Sequence, residues 1–343
     1  MIDQEAPLVA ALRSDNHAAF AEQVRHHRRA LHVHCYRMLG SIDDAEDVVQ
    51  ETLLRAWRQR HGFQGRSSFR AWLYRIATNA CIDSMRAGKR RVLPHHIAPA
   101  NVPPEHMPPG PEPLWLQPYP DRLLDELQAS SEDPEAEVVA RETIELTFIA
   151  ALQLLTPRQR AVLLVRDVLG WSAADVASLL GLTVVSVNSA LQRARATLQR
   201  NRPSSRLEWS AAAPREQTER GLLERCMHAC EQADAAAMVE LLSSDVRWTM
   251  PPYSWWFEGR DAVAESVRQG FGEFRPGEWR VVPVRANRQP AAAAYVRRWD
   301  DDTYRAFAVH VLRVEGDAIA EVIGFHDPSL FESFGLSPTL STQ

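Results

Sequence analysis

Lysine is almost absent from this chain. Lys89 is the single lysine among 343 residues, so arginine supplies nearly all of the 39 basic side chains. Long apolar runs are also absent: no stretch reaches the roughly 18 residues that a membrane-spanning helix needs, and no signal-peptide core is present. We therefore expect a cytoplasmic protein that has no membrane partner.

Cysteine is scarce, and no two of the four cysteines form a C-x-x-C pair. Cys226 and Cys230 are four residues apart on a predicted helix, and Cys35 follows His32 and His34 closely. This spacing leaves a metal or redox site open, although buried thiols that behave as small apolar side chains explain it better. We expect neither a bound metal nor a cofactor.

Charge is distributed unevenly, although the net charge is only −5. Residues 1–93 contain 15 basic and 10 acidic side chains, and residues 156–202 contain 7 and 2. Residues 94–155 contain 2 basic against 11 acidic side chains, and residues 203–343 contain 15 against 21. The two basic segments suit a polyanionic partner such as nucleic acid, whereas the acidic segments do not.

A helix-turn-helix pattern occupies residues 171–200. Gly181 tolerates the positive φ of a tight turn, and Thr183 is a suitable N-cap for the following helix, whose polar side would enter a major groove. A purely structural helical hairpin is the alternative. The residues expected to be buried in the second helix are Val184, Val187 and Leu191. The predicted DNA-contacting residues are Thr183, Ser186, Asn188, Ser189, Gln192, Arg193 and Arg195.

Two helices are predicted before residue 60. The first covers residues 7–40 and ends at Gly40, and the second begins at the N-cap Ser41 and is amphipathic. A solvated surface is the simplest explanation of its polar face. That face contains Asp44, Asp47, Gln50, Glu51 and Arg55.

A third helix, capped by Ser67, is predicted up to Arg91, and it mixes basic with aromatic residues. Cations neutralise phosphates and aromatic faces stack on unpaired bases, so this composition suits a single-stranded nucleic acid. The alternative is that the aromatic residues belong to a core and that the basic end complements the helix dipole. The candidate nucleic-acid residues are Arg70, Trp72, Tyr74, Arg75, Asn79, Arg86, Lys89, Arg90 and Arg91.

These segments resemble a known family. About residues 15–92 resemble region 2 of bacterial sigma-70 factors of the extracytoplasmic-function group, through the stretches SIDDAEDVVQETLLRAWRQ and FRAWLYRIATNACIDSMR. About residues 140–200 resemble region 4 of the same family, through LLTPRQRAVLLVRDVLGWSAADVASLLGLTVVSVNSALQRARATL. The two motifs occur in the order that the family has.

The resemblance implies a protein that binds core RNA polymerase and directs it to promoter DNA. It implies that the polar face of residues 44–55 docks on the β′ clamp helices, and that the third helix reads and melts the minus-10 element. The helix after Thr183 would read the minus-35 element, and the basic surface around it would meet the β flap. Many members have arginine where this chain has Asn188 and Ala190, so we expect an unusual base preference, with Asn188 and Gln192 suited to adenine edges.

Residues 94–139 form an acidic, proline-rich linker, in which the proline density excludes a long helix before about Asp121. A flexible tether is one interpretation. The cluster WLQPYP favours a docked segment instead, and a similar motif occurs in the linker of sigma factors that have a C-terminal extension. The acidic charge would lie against a basic surface of the same chain or mimic nucleic acid inside the polymerase.

The pattern changes after residue 216. Two helices are followed by strand-like runs, with a tight hairpin turn at residues 315–317, which predicts an α+β cone. The predicted strands are residues 246–250, 278–285, 292–299, 304–314 and 318–324. Residues 216–336 resemble the SnoaL-like fold, related to ketosteroid isomerases and polyketide cyclases, through ADAAAMVELLSSDVRWTMPP, WFEGRDAVAESV and GFHDPSLFESFGL.

That fold has a pocket, and relatives that transfer protons place an Asp or His base next to a buried oxyanion donor. No positional match to such a dyad is found here, so we expect no catalytic residue and no enzyme. Ligand sensing and protein contact both stay open, because a fold does not determine a function. The possible pocket residues are Trp248, Tyr253, His310, His326 and Asp327.

The predicted fold class is therefore multidomain, with two all-α modules and an α+β SnoaL-like (NTF2-like) cone. The predicted function is that of a sigma factor whose C-terminal domain contacts regions 2 and 4 and replaces a separate anti-sigma factor. One alternative is a bifunctional sigma factor whose C-terminal domain binds or turns over a small molecule. Another is a helix-turn-helix repressor, which would have no use for a strand-melting helix. The predicted boundaries are region 2 (1–93), acidic linker (94–139), region 4 (140–202), second linker (203–215) and SnoaL-like domain (216–336).

Overall fold

The chain divides into two compact units. The computed structural model describes residues 17–65, 67–88, 91–102, 114–129, 144–200, 216–272 and 274–341. The helical unit contains residues 1–91 and 123–209, and the C-terminal unit contains residues 92–122 and 210–343. The whole second linker (203–215) lies outside the described residues, as do Lys89 and Arg90. So do parts of two other predicted segments, the start of the first helix (7–16) and the acidic linker (103–113 and 130–139).

The helical unit confirms the all-α prediction for its described residues. A π-helical turn, Leu164–Val168, directly follows the helix Pro157–Leu163. The helices are α1 (His17–Leu39), α2 (Ile42–Gln59), α3 (Phe69–Ala87), the later part of α4 (Asp121–Ala129), α5 (Leu146–Leu152), α6 (Pro157–Leu163), α7 (Ala173–Leu180) and α8 (Val184–Arg200).

Short polar side chains cap the starts of these helices. Ser41 Oγ accepts a hydrogen bond from the N–H of Asp44 at 3.1 Å, which confirms the predicted cap of α2. The cap of α3 is Ser68 and not the predicted Ser67, because the extended backbone at Ser68 lets its Oγ accept from the N–H three residues later. Capping boxes begin α6 and α7, at Thr156 and Ser172.

A buried arginine joins the early and late helices of this unit. Arg160 in α6 is 3% exposed; it donates hydrogen bonds to the Met38 carbonyl in α1 and to Gln153 Oε1 at 2.6 Å. The ring centroids of Tyr74 in α3 and Trp171 before α7 are 5.8 Å apart. The helices of residues 17–87 and 146–200 therefore pack as one body.

The C-terminal unit confirms the predicted α+β cone. The strands of its sheet are β3 (Leu242–Thr249), β4 (Trp256–Glu258), β5 (Gly277–Ala286), β6 (Gln289–Arg298), β7 (Thr303–Glu315), β8 (Ala318–Phe325) and β9 (Thr339–Ser341). Their order across the sheet is β4-β3-β8-β7-β6-β5, with β9 paired to β7. Among the described strands of this sheet, only β3 and β8 run parallel. Three of its helices cover one face of the sheet around a shared apolar core. The helices are α9 (Glu216–Gln232), α10 (Ala235–Glu240), α11 (Arg260–Phe271) and α12 (Leu330–Ser333).

Two strands of this sheet were not predicted. β4 and β9 are three residues long, too short for an alternating pattern, and each exists through its pairing with a longer strand. The strand that was predicted at residues 246–250 begins earlier, at Leu242. Leu242 pairs with Ile319, and a register shift separates this pair from the pairs that begin at Arg247. The predicted turn at residues 315–317 is confirmed, with Gly316 at φ 64°.

Residues 92–102 and 114–122 dock on the sheet of the C-terminal unit; we call these two segments the docked connector. Two short strands, β1 (Arg91–Val92) and β2 (Leu114–Trp115), pair near its ends, and Leu116 N–H donates to the Val92 carbonyl at 3.1 Å. At one edge of the sheet, Trp256 Nε1 in β4 donates to the Ala98 carbonyl at 2.8 Å. Leu116 and Tyr119 of the WLQPYP cluster are 1% and 0% exposed, so the prediction that this cluster is docked is confirmed.

The other anchor of the docked connector is the turn between β5 and β6, at the opposite edge of the sheet. Asn287 accepts a hydrogen bond from Tyr119 N–H through its Oδ1 at 2.7 Å, and its own N–H donates to the Tyr119 carbonyl at 2.8 Å. Asp121 is 2% exposed and accepts from Arg288 N–H at 2.8 Å and from Arg285 Nε at 3.3 Å. Burial raises the pKa of Asp121 above its usual range, and the two arginines oppose that shift.

We expect Arg160→Ala to lower the free energy of unfolding of the helical unit by about 2–4 kcal/mol, because it leaves the buried Met38 carbonyl without its charged donor. Arg158→Ala removes an exposed arginine two residues away on the same helix and should change stability by less than about 0.5 kcal/mol. Urea unfolding followed by far-ultraviolet circular dichroism measures both. Equal effects of the two substitutions would contradict this role for Arg160.

Candidate nucleic-acid interface and C-terminal cavity

The second helix of the helix-turn-helix, α8, presents a polar surface. Gly181 has φ 64°, and Thr183 Oγ1 accepts from Ser186 N–H at 3.1 Å, so the predicted turn and cap are confirmed. Arg195 already donates two hydrogen bonds to the Asp167 carboxylate, at 2.8 and 2.7 Å. Ser189 is half-buried, and the predicted DNA residues that are exposed are Thr183, Ser186, Asn188, Gln192, Arg193 and Arg195.

The first turn of α8 differs from the prediction. Val184 was expected to be buried but is 43% exposed, because the buried stripe begins at Val187, one turn later. Val185 is 75% exposed. Val184 and Val185 are adjacent, so they cannot both lie on the buried stripe that contains Val187. This pattern in the sequence could have predicted an exposed apolar residue at the start of the helix.

The α3 helix divides its predicted nucleic-acid residues between the surface and the core. Arg75, Asn79 and Arg86 are exposed. Trp72 and Tyr74 are 5% and 0% exposed, so in this arrangement neither ring is available for stacking on a base.

Local contacts explain why the Tyr74 ring is buried, and two of the predicted arginines, Arg70 and Arg91, contact other side chains of the same unit. The Tyr74 ring lies between His34, with centroids 5.0 Å apart, and Trp171, while the Arg70 guanidinium lies 5.2 Å from its centroid. Arg91 is paired with the Asp44 carboxylate at 2.7 Å.

The polar face of α2 is continuous on the surface. Asp47 and Gln50 are exposed, and Asp44, Glu51 and Arg55 are half-buried, with Arg55 Nε donating to Glu51 Oε1 at 2.6 Å. Leu54 lies three and four residues from Glu51 and Gln50 on the same face and is 52% exposed. An exposed leucine within a polar face is a feature of contact surfaces that the polar prediction did not include.

A cavity of about 370 Å³ lies inside the C-terminal unit, between the sheet and helices α9, α10 and α11. Its wall includes a chain of aromatic rings, with centroid separations of 5.0 Å (Trp279 to Phe307), 4.9 Å (Phe307 to His326), 6.0 Å (His326 to His310) and 6.5 Å (His310 to Trp248). Trp279 was not among the predicted pocket residues, although strand alternation places it on the same face as Val281.

Only some of the predicted pocket residues line this cavity. Trp248, His310 and His326 line the cavity, whereas Tyr253 and Asp327 are not part of its lining. Tyr253 is 49% exposed, with its ring centroid 5.5 Å from that of His326. The Asp327 carboxylate accepts hydrogen bonds from Ser329 N–H at 3.0 Å and Ser329 Oγ at 2.6 Å, so it closes a local turn.

Burial keeps the titratable groups of the cavity uncharged. It lowers the pKa of His310 to about 3, helped by His326, and lowers that of His326 to about 4. It raises the pKa of the Cys226 and Cys230 thiols to about 12, which suppresses thiolate chemistry. No described lining residue is a carboxylate that could orient a histidine as a base, and the described residues contain no group of three metal-binding side chains.

Comparison with known proteins identifies the family. Family models match residues 23–91 (sigma-70 region 2), residues 146–198 (sigma-70, region 4) and residues 223–322 (SnoaL-like domain). The ECF RNA polymerase sigma factor SigG of Mycobacterium tuberculosis is 44% identical over 322 residues, which cover 94% of this chain and 85% of that protein. The chain belongs to the ECF sigma factors. As a sigma factor it binds core RNA polymerase and promoter DNA and directs promoter recognition and initiation.

Two further relatives match different lengths of this sigma factor. SigM of Mycobacterium tuberculosis is 30% identical over 196 residues, covering 57% of this chain and 83% of SigM. The crystal structure of the extracytoplasmic-function sigma factor SigJ of Mycobacterium tuberculosis matches 92% of this chain and 99% of its own with a TM-score of 0.59 at 22% identity, which supports the fold.

The described helices contain no single segment that is long and apolar enough to cross a membrane. One bent pair, α7 with α8, passes the same test by length and composition. That pair is the helix-turn-helix, whose apolar residues pack within the helical unit.

The buried histidines make the C-terminal unit sensitive to acid. The unfolded chain takes up protons near pH 6.5, whereas folded His310 and His326 stay neutral to about pH 3 and 4, so the free energy of unfolding should fall as the pH drops below 6.5. Each histidine contributes at most about 1.4 kcal/mol per pH unit. His310→Leu should flatten the pH dependence of thermal unfolding between pH 6.5 and 4.5. His228→Gln, an exposed histidine of the same unit, should leave it unchanged, and the same result for both variants would contradict the assignment.

Proposed function

We propose that the C-terminal unit regulates this sigma factor by holding the connector between its two promoter-reading modules. The observation that carries this proposal is the docked connector, anchored at both edges of one sheet by Trp256 and by Asn287. In sequence, the connector follows α3 and precedes α5 to α8. A unit that grips this segment controls how far the modules on either side can separate.

The spacing of the promoter elements sets the distance by which the two promoter-reading modules must separate. Elements at minus 10 and minus 35 are about 25 base pairs apart, which is roughly 85 Å of duplex. In the helical unit, Tyr74 of α3 and Trp171 before α7 are 5.8 Å apart by ring centroid. Reading both elements at once therefore requires these helices to come apart, and the contact between Tyr74 and Trp171 belongs to a closed form.

In the open form, in which the helices around Tyr74 and Trp171 have come apart, we infer that α8 reads the minus-35 element. Asn188 and Gln192 are exposed and one turn apart, and both amides suit the N6 and N7 positions of adenine in a major groove. Val185 is exposed at the start of the helix, where recognition helices contact bases, and its methyl groups suit the methyl group of thymine. Arg193 is available for phosphate contact.

The remaining contacts follow from the exposed surfaces. The exposed face of α3, with Arg75, Asn79 and Arg86, is suited to the minus-10 strand, and Trp72 and Tyr74 become available to it only after opening. The polar face of α2, centred on Leu54, is suited to the β′ clamp helices, and the basic surface around α8 to the β flap. The C-terminal unit acts without catalysis and contacts regions 2 and 4 to maintain the closed form in place of a separate anti-sigma factor.

Base recognition can be tested in α8. Asn188→Ala and Gln192→Ala should each reduce discrimination at one promoter position by about 1–3 kcal/mol, because a two-bond contact to a base edge is lost. Gln199→Ala removes an exposed glutamine near the other end of the same helix and should leave discrimination unchanged. Run-off transcription with core polymerase on a library randomised in the minus-35 element measures this. Unaltered base preferences in both recognition variants would refute the assignment.

Regulation can be tested at Asn287. Asn287→Gly keeps the positive φ of 55° but removes the side-chain acceptor for Tyr119 N–H, so the connector should loosen and run-off transcription should rise several-fold. Combining it with Asp121→Ala should increase the effect. Asp317→Gly, an exposed turn residue of another hairpin in this unit, is the control and should have no effect.

Hydrogen exchange provides the structural check on the same variants. The Tyr119 amide should exchange faster in Asn287→Gly than in the unsubstituted protein. In Asp317→Gly its exchange rate should be unchanged. Faster exchange without any change in transcription would overturn the regulatory proposal, while leaving the sigma activity itself intact.

A further inference from the structure

We propose that Asp167 is a positioning residue for promoter recognition: it orients Arg195 toward a phosphate of the minus-35 duplex and so fixes the register of α8 in the major groove. This role rests on the proposed function, in which α8 reads the minus-35 element, and it adds a residue outside that helix to those that set base preference. Three features support it: the geometry of one ion pair, the place of Arg195 on α8 and the turn that holds the carboxylate.

The ion pair between Asp167 and Arg195 joins two elements that are 28 residues apart in sequence. Arg195 Nε donates to Asp167 Oδ2 at 2.8 Å and Arg195 Nη2 donates to Asp167 Oδ1 at 2.7 Å, so both carboxylate oxygens take part. The exposed Arg25, by contrast, contacts Glu22 on its own helix through one nitrogen. Two parallel hydrogen bonds fix the plane of a guanidinium, whereas a single bond leaves it free to rotate.

The donors that Asp167 leaves free suit a phosphate. A guanidinium has about five N–H groups, and the pair uses the one on Nε and one of those on Nη2. The other N–H of Nη2 and those of Nη1 form the outer edge of the group, and they donate to nothing within the described part of the chain. The Arg195 side chain is 57% exposed, so it is accessible to a ligand. Neighbouring N–H groups on such an edge match two oxygens of a phosphate.

Arg195 continues the exposed stripe of α8 that contains the proposed base-reading residues. At about 100° per residue, four exposed side chains lie within an arc of about 80° around the helix axis: Val185, Asn188, Gln192 and Arg195. Arg195 lies about 10 Å along the axis from Asn188, which is two turns later. Recognition helices contact base edges with their N-terminal residues, so a side chain this far along meets the backbone at the border of the groove. A phosphate contact there sets which bases Asn188 and Gln192 meet.

Asp167 belongs to a turn that the surrounding chain holds in place. This turn is the π-helical segment Leu164–Val168, and such segments occur frequently at functional sites. Trp171 N–H donates to the Val165 carbonyl at 3.1 Å, and Arg166 Nη1 donates to the Trp171 carbonyl. These bonds tie the turn to the chain that enters α7. The carboxylate therefore has a fixed position, as a group that orients another side chain must have.

The pair is neutral as a whole, so it adds little to the attraction that any duplex exerts on a basic surface. What it adds depends on direction, because a phosphate must lie in line with the outer edge of the Arg195 guanidinium. Asp167 therefore weakens non-specific binding and leaves a contact that only the correct register of α8 satisfies.

The test uses holoenzyme made from the full-length chain and core polymerase, in run-off transcription on the library randomised in the minus-35 element. Asp167→Asn keeps the size of the side chain but removes its charge and one acceptor oxygen. We expect the base preferences that depend on Asn188 and Gln192 to fall together, by about three- to tenfold. Asp175→Asn removes the same charge from an exposed residue of α7 and should leave both preferences unchanged.

Salt dependence separates positioning from a purely structural role. On a scrambled duplex, the plot of log affinity against log salt should be steeper by about 0.9 for Asp167→Asn holoenzyme, because the released Arg195 neutralises one more phosphate. Loss of a merely structural pair would weaken binding to every duplex and leave that slope unchanged. An unchanged slope, or equal base preferences in Asp167→Asn and the unsubstituted protein, would overturn the proposal.

A double variant tests whether Asp167 acts through Arg195. Arg195→Gln alone should lower the same base preferences, and adding Asp167→Asn should lower them no further, because the group that Asp167 orients is gone. A further loss in the double variant, equal to that of Asp167→Asn alone, would refute the positioning role. If Asn188→Ala and Gln192→Ala also leave the preferences unaltered, the proposed reading by α8 has failed. If they alter the preferences and Asp167→Asn does not, only the role of Asp167 has failed.

Discussion

The hydrogen bonds between Asn287 and Tyr119 hold a segment that would otherwise be a proline-rich tether. Asn287 uses its left-handed backbone conformation to present both its N–H and its side-chain oxygen to one residue of the connector. The neighbouring Asp121 is buried and satisfied by Arg285 and by the Arg288 backbone. These contacts attach residues 92–102 and 114–122 to the C-terminal unit, although in sequence they lie between the two sigma modules.

This arrangement also protects the sheet. β4 and β5 are its two edge strands, and exposed strand edges are sites of unwanted pairing. The docked connector contacts β4 through Trp256 and Asn101, and contacts the end of β5 through the bridge between Pro120 and Ala286. The connector thus covers the β4 edge while it is restrained there, whereas it meets β5 only at the last residue of that strand.

The helical unit has a second restraint of its own. Tyr74 and Trp72, whose residue types suit base stacking, are placed in the core by contacts with His34, Phe63 and Trp171. Arg160 links the late helices to the carbonyl end of α1. The groups that a promoter strand would need are thus used internally in this structure, as the proposed closed form requires. The exposed side chains of α2 and α8 are accessible without that change.

Much of this protein follows from its sequence. Helix caps at Ser41 and Thr183, the turn at Gly181 and the polar face of α8 depend on neighbouring residues, so local chemistry determines them, and the region 2 and region 4 motifs identify the sigma modules. The sequence also indicated that WLQPYP is docked, because it is a compact cluster of aromatic residues and prolines. It could not indicate where, since Tyr119 and Asn287 are 168 residues apart. Tertiary structure alone buried Tyr74, exposed Val184, moved Asp327 out of the cavity and brought Trp279 into it. Each of these depends on packing between distant elements, which short-range periodicity does not encode.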